Sequence, residues 1–193
     1  MRTKMPNGYE DLAKLRVKTR WPGYQQPEDF GYDFRDWVSP YTKSAHAVGG
    51  VALVLQDWAS ADHLIQRVNP ATQKYGRDPE IITNKRLARL LDRIFHLSLD
   101  QVYVTNAFPF VKPGGKSSSI PQRDVLKAVE LFTIPELDLA RPRLTIALVR
   151  LARRALSRAG VPVVSVPHPA ARIGGDQHHE SQGMHIVPAD GGG

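Results

Sequence analysis

The run Val51-Ala52-Leu53-Val54-Leu55-Gln56-Asp57 decides the fold. Aliphatic residues without alternation, closed by an amide and a carboxylate, read as a strand buried on both faces. Such a strand needs helices above and below it and parallel neighbours beside it. Reading outward, both are predicted. Leu87, Leu90, Leu91 and Ile94 fall at i, i+3, i+4 and i+7, which makes one apolar helix face with Arg86, Arg89 and Arg93 elsewhere. Val102-Tyr103-Val104-Thr105 is a second strand, interrupted by Asn106 and followed by a loop with Pro109, Pro113, Gly114 and Gly115. Pro121 suits the first turn of a helix carrying Val125, Leu126 and Val129. Leu144 to Val149 is a third strand, leading into a helix with Leu151, Ala152, Ala155 and Leu156 that Gly160 stops. Val161 to Val166 is a fourth strand, ended by His168-Pro169. The expected class is α/β, a central and mainly parallel four-stranded sheet flanked by helices.

Upstream, Leu12, Leu15 and Val17 could line a short helix. Trp21 to Gly50 interleaves Pro22, Pro27 and Pro40 with Tyr24, Phe30, Tyr32, Phe34, Trp37 and Tyr41, an irregular segment suited to capping one end of the core. Residues 1–193 are read as a single domain, with that irregular segment reaching to about 50 and a loose, glycine-bearing tail from about 174. The absence of cysteine excludes a disulfide framework, a zinc ribbon and a cysteine-held iron–sulfur cluster. An excess of 26 basic over 19 acidic residues, +7, favours a polyanionic partner, although the same charge can serve solubility alone. Met1 to Gly8 carries Arg2 and Lys4 without an apolar stretch behind them, and nowhere do about eighteen apolar residues run together, so a cytoplasmic location and no membrane partner are expected.

In an open α/β sheet, ligands bind beyond the carboxyl ends of the strands. Gln56-Asp57, Asn106 and His168 each close a predicted strand there. Taken singly, each has an ordinary role: a helix cap, an Asx turn, a surface histidine before proline. As an ordered series they say more. Val54-Leu55-Gln56-Asp57, then Val102-Tyr103-Val104-Thr105-Asn106 with its Pro/Gly loop, then Ala147 to Ala152, then Val166-Pro167-His168-Pro169-Ala170-Ala171-Arg172 resembles the uracil-DNA glycosylase superfamily over roughly residues 50 to 173.

The resemblance implies a uracil-DNA-glycosylase-like fold and a role for each motif residue. Asp57 would position or activate the attacking water, the backbone near Gln56 would contact the base, Asn106 would read a flipped base, and His168 would hydrogen-bond it. The loop at Ala170, Ala171 and Arg172 would enter the duplex. The chemistry agrees, because breaking an N-glycosidic bond leaves positive charge on the sugar and negative charge on the base, which call for an anion and a donor. Asp57 and His168 are those groups, and the Asn106 amide can match a uracil or a cytosine edge by rotation. The target must leave the stack to be reached. Lys112, Lys116, Ser117 and Ser118 are candidates for holding phosphates, with a plain solvated loop as the alternative. The arginines between Arg141 and Arg158 read as the wet face of a helix, and His178, His179 and His185 as part of a polar tail rather than a metal site.

Departures from the uracil pattern set the expected substrate. Where the family's Gln-Asp-Pro-Tyr-type loop places Pro and a bulky Tyr that shields C5 of the pyrimidine, this chain has Trp58 and Ala59, which implies a missing barrier. An aromatic platform is also lacking between Glu80 and Arg86, where Ile81, Ile82 and Asn84 stand; Tyr75 or Phe108 could serve instead. The expectation is a DNA glycosylase acting on a C5-modified pyrimidine, such as the glucosylated hydroxymethylcytosine of phage DNA, in anti-phage defence. Uracil or deaminated-base excision in repair, with Trp58 as part of the wall, and a catalytically inactive DNA-binding member are the alternatives. No motif position offers a lysine for a Schiff base, so a monofunctional hydrolase is expected, acting as a monomer with no metal or organic cofactor.

Overall fold

The computed structural model describes residues 8–43, 49–65, 67–166 and 169. Its centre is a sheet of four parallel strands, β3 (Val51–Asp57), β4 (Tyr103–Phe108), β5 (Leu144–Ala147) and β6 (Val164–Ser165), in the spatial order β4-β3-β5-β6. The predicted α/β class holds. The first run is the inner strand of the sheet, paired on one side through Leu53↔Val104 and Leu55↔Asn106 and on the other through Leu53↔Ile146.

Two-residue alternation divides the sheet's side chains between two cores. Ala52, Val54, Tyr103, Ala107 and Ala147 point to one side. There they meet α1 (Tyr9–Lys18), α5 (Gln122–Ala128), α6 (Ile134–Ala140) and α7 (Arg150–Arg158). Leu53, Leu55, Val104 and Ile146 point to the other side and meet Leu87 and Leu91 of α4 (Ile82–Phe95). Burying each such leucine contributes about 1.5–3 kcal/mol. α4 carries the predicted stripe, with Leu87, Leu90 and Leu91 buried, and His96 ends it in the left-handed conformation.

Several boundaries differ from the sequence reading. The second strand does not stop before Asn106 but runs to Phe108, because pairing with β3 continues as far as Asp57↔Phe108. The predicted fourth strand shrinks to Val164–Ser165, which pairs with β5. The helix after Pro121 extends through a π-turn at Val129–Thr133 into α6, and Pro135, which has no backbone donor, follows directly on that turn. The N-terminal segment is more regular than expected. It holds an antiparallel pair, β1 (Trp37–Ser39) and β2 (Thr42–Lys43). Short helices α2 (Ala61–Leu64) and α3 (Pro70–Tyr75) and two 3-10 turns, Pro27–Phe30 and Leu99–Gln101, complete the elements of the described residues. Among the described residues, no helix is long and apolar enough to cross a membrane. The predicted tail from 174 lies outside the described residues.

Candidate functional site

Apolar burial of β3 ends at Leu55, so Gln56 and Asp57 emerge half-buried at the carboxyl edge of the sheet. They open onto a cavity of about 480 Å³, lined also by Trp58, Ala59, Ser60 and His63 from the following loop and α2, by Ile81 to Asn84 at the start of α4, and by Tyr41, Lys112, Lys116 and Val149. That volume suits a small-molecule or nucleoside-sized ligand. The aliphatic stretch singled out for lacking an aromatic platform, Ile81, Ile82 and Asn84, does form one wall.

The Asp57 carboxylate is ion-paired with Lys112, Oδ2 to Nζ at 3.1 Å, and both side chains are largely buried, 15% and 5% exposed. Lys112, one of the candidates for holding phosphates, is thus drawn into the cavity wall against this carboxylate. Backbone pairing fixes the lysine: its N–H donates to the Ala59 carbonyl at 3.2 Å, and its own carbonyl accepts from the Ala61 N–H at 2.9 Å. The preceding Val111 exchanges two backbone hydrogen bonds with Gln25. Beyond it, Gly114 turns the chain at φ +71°, a conformation costly for side-chain-bearing residues, and the Lys116 carbonyl returns to accept from Lys112 Nζ at 2.8 Å. Lys116 and Ser117 are exposed and Ser118 is half-buried, so these remain available to a phosphate.

Asn106 is fully buried within β4, and neither its Oδ1 nor its Nδ2 has a hydrogen-bond partner among the described residues. Leaving such groups unpaired costs about 1–3 kcal/mol each. Its cross-strand neighbour Leu55 lines the cavity, while the Asn106 side chain itself is enclosed and is not part of the wall. The Asn106 carbonyl accepts from Thr133 Oγ1 at 3.2 Å, which ties β4 to the π-turn. Ser60 is a second polar group in this state: it lines the cavity, is 3% exposed, and its Oγ has no partner.

Trp58 and Ala59 both line the cavity, but the indole is committed to the fold: Nε1 donates to the Gly76 carbonyl at 2.8 Å, and the ring meets Tyr32 and Phe34 edge-on. Phe108 is not the expected base-stacking ring. The extra length of β4 carries it into the apolar core, fully buried against Trp21, Tyr24 and Phe110. Tyr75 lies away from the cavity wall, under the cations of Lys74 and Arg77. The aromatic side chain missed by sequence reasoning is Tyr41. Its hydroxyl donates to Asn84 Oδ1 at 3.0 Å, and burial pushes that phenol up to about 12, so it remains a neutral donor at physiological pH. No local pattern signals this pair, since the two residues lie 43 positions apart.

His168 and Arg172, with Ala170 and Ala171, lie outside the described residues. Because the sheet is parallel, the chain leaves β6 on the same edge at which β3 ends in Asp57. Pro169 is buried, and its carbonyl accepts from Arg86 of α4 at 3.1 Å. No protein-family model matches the chain, and no curated protein gives a significant match.

Proposed function

We propose that this protein is a DNA glycosylase that takes a base out of the helix into the Asp57 cavity and hydrolyses its N-glycosidic bond, leaving an abasic site. The observation that carries this reading is a held carboxylate at the end of the inner parallel strand, beside a neighbouring strand whose buried amide at Asn106 is unpaired. Asp57 supplies the fixed anion that a developing sugar cation needs, and Lys112 keeps its orientation. An unpaired carboxamide is a costly feature to retain, and a pyrimidine edge offers the matching donor and acceptor. Engagement requires the Leu55 side of the cavity to yield, since the amide is enclosed.

The substrate we propose is a pyrimidine with a bulky C5 group, in the setting of defence against phage with modified DNA. Ala59 is a small residue in the cavity wall, and Trp58 is anchored to Gly76 and cannot swing across it without losing that bond. DNA approach is supported by the +7 charge and by exposed Lys116 and Ser117 beside the opening. The test is mass analysis of bases released from uracil-containing DNA and from DNA carrying glucosylated hydroxymethylcytosine. Release of the glucosylated base is the expected outcome, uracil release alone would remove the enlarged-cavity argument, and no release from either would favour an inactive binding protein.

A further inference from the structure

We infer that Lys112 is an amine nucleophile, so that the protein is also an abasic-site lyase that cuts the strand through a Schiff base. The inference rests on the proposed reading of the cavity as a site for a flipped nucleotide, but it adds a reaction that base hydrolysis does not need. Its ground is geometric. The loop that follows β4 brings Lys112 Nζ to 3.1 Å from the Asp57 carboxylate at the end of β3, inside the same cavity wall. One ion pair and one hydrogen bond to the Lys116 carbonyl hold the ammonium, which has three N–H bonds. Its backbone is fixed on both sides by pairing with Ala59 and Ala61, so the amine is presented rather than tethered loosely.

The product of base removal is a deoxyribose whose ring-opened form carries an aldehyde at C1′. For attack, Lys112 must shed a proton, and Asp57 is the base within reach. The amine adds to C1′ and forms a carbinolamine. The proton returned by Asp57 then lets the C1′ oxygen leave as water, which gives a protonated imine and restores the carboxylate. Asp57 next removes a proton from C2′, and the electron pair of that C–H bond passes through the enamine to break the C3′–O bond. The 3′ strand departs with its 5′-phosphate and keeps the bonding electrons. Water hydrolyses the remaining imine to an unsaturated aldehyde and free Lys112, and the proton on Asp57 passes to solvent. No oxidant or further reactant is consumed.

The test uses the full chain with an oligonucleotide duplex carrying one abasic site prepared beforehand, in the presence of sodium cyanoborohydride. The expected result is a covalent protein–DNA adduct that peptide mapping places on Lys112, and strand cleavage 3′ to the site when the reductant is left out. Lys112→Arg retains the cation beside Asp57 but replaces the amine, and is expected to lower adduct formation at least about 100-fold. Mapping on the wild-type protein keeps the test decisive even if that variant folds poorly. Absence of an adduct, an adduct mapped to another residue, or undiminished trapping in a folded Lys112→Arg protein would overturn the inference. Base release without trapping would leave the glycosylase reading standing and remove only the lyase. An adduct on Lys112 without base release from modified DNA would do the reverse.

Discussion

Among the described residues two cations are buried, and they are held in opposite ways. Arg16 on α1 is fully enclosed, and all five of its N–H bonds are used: by the Trp37 and Phe34 carbonyls, by Gln26 Oε1, and by both oxygens of Glu28. Lys112 is almost as buried, but among the described residues only Asp57 and one carbonyl engage it, and it borders a cavity. A cation whose every donor is spent is a structural rivet for the N-terminal segment. One with capacity left over, beside an accessible volume, is equipped to meet something that arrives.

The contrast can be broken first at Arg16. Arg16→Met strands two backbone carbonyls, Gln26 and Glu28 at once, and is expected to cost about 3–5 kcal/mol of unfolding free energy, read by urea denaturation. Asp57→Asn is expected to fold normally and bind DNA nearly as well, while base release in single-turnover assays falls by about 10²–10³-fold. A smaller effect should come from Glu136, a buried carboxyl with no cation bonded to it among the described residues. Burial pushes its carboxyl up to about 7, against the lowering influence of Thr105, Tyr103 and Arg16; Tyr103 Oη donates to it at 3.0 Å.

Because the folded protein keeps that proton where the unfolded chain has released it, stability should be highest below about 4.5 for this group and decline as pH rises through about 7. The total change is on the order of 3 kcal/mol, and Glu136→Gln should flatten it in denaturation series run from pH 5 to 8. The smallest loss is expected for Lys112→Met, about 1–2 kcal/mol by denaturation, since Asp57 and the Lys116 carbonyl can turn toward water in the cavity. A loss as large as that of Arg16→Met would erase the distinction between the two cations.

The strands and α4 were legible because a buried parallel strand and an amphipathic helix each impose a period that survives in one dimension. Asn106 misled the strand boundary for a local reason: asparagine favours turns, but here the ladder to β3 carries it, and the chain continues to Phe108. The same two-residue extension moved Phe108 from the cavity to the core. The β1–β2 pair and the π-turn escaped notice because proline, glycine and aromatic residues mask any period in the first and a continuous helix pattern hides the second.

By itself, the sequence determined a four-stranded parallel sheet with two apolar faces and an acidic residue, Asp57, where its inner strand runs out of apolar side chains, because burial dictates both. Only the tertiary structure decided that Lys112 stands against that carboxylate, that Arg16 is sealed by four separate residues, and that Tyr41 meets Asn84. Those contacts join segments far apart along the chain. Their partners are chosen by how helices and loops pack around the sheet, and no local pattern of residue types encodes that choice.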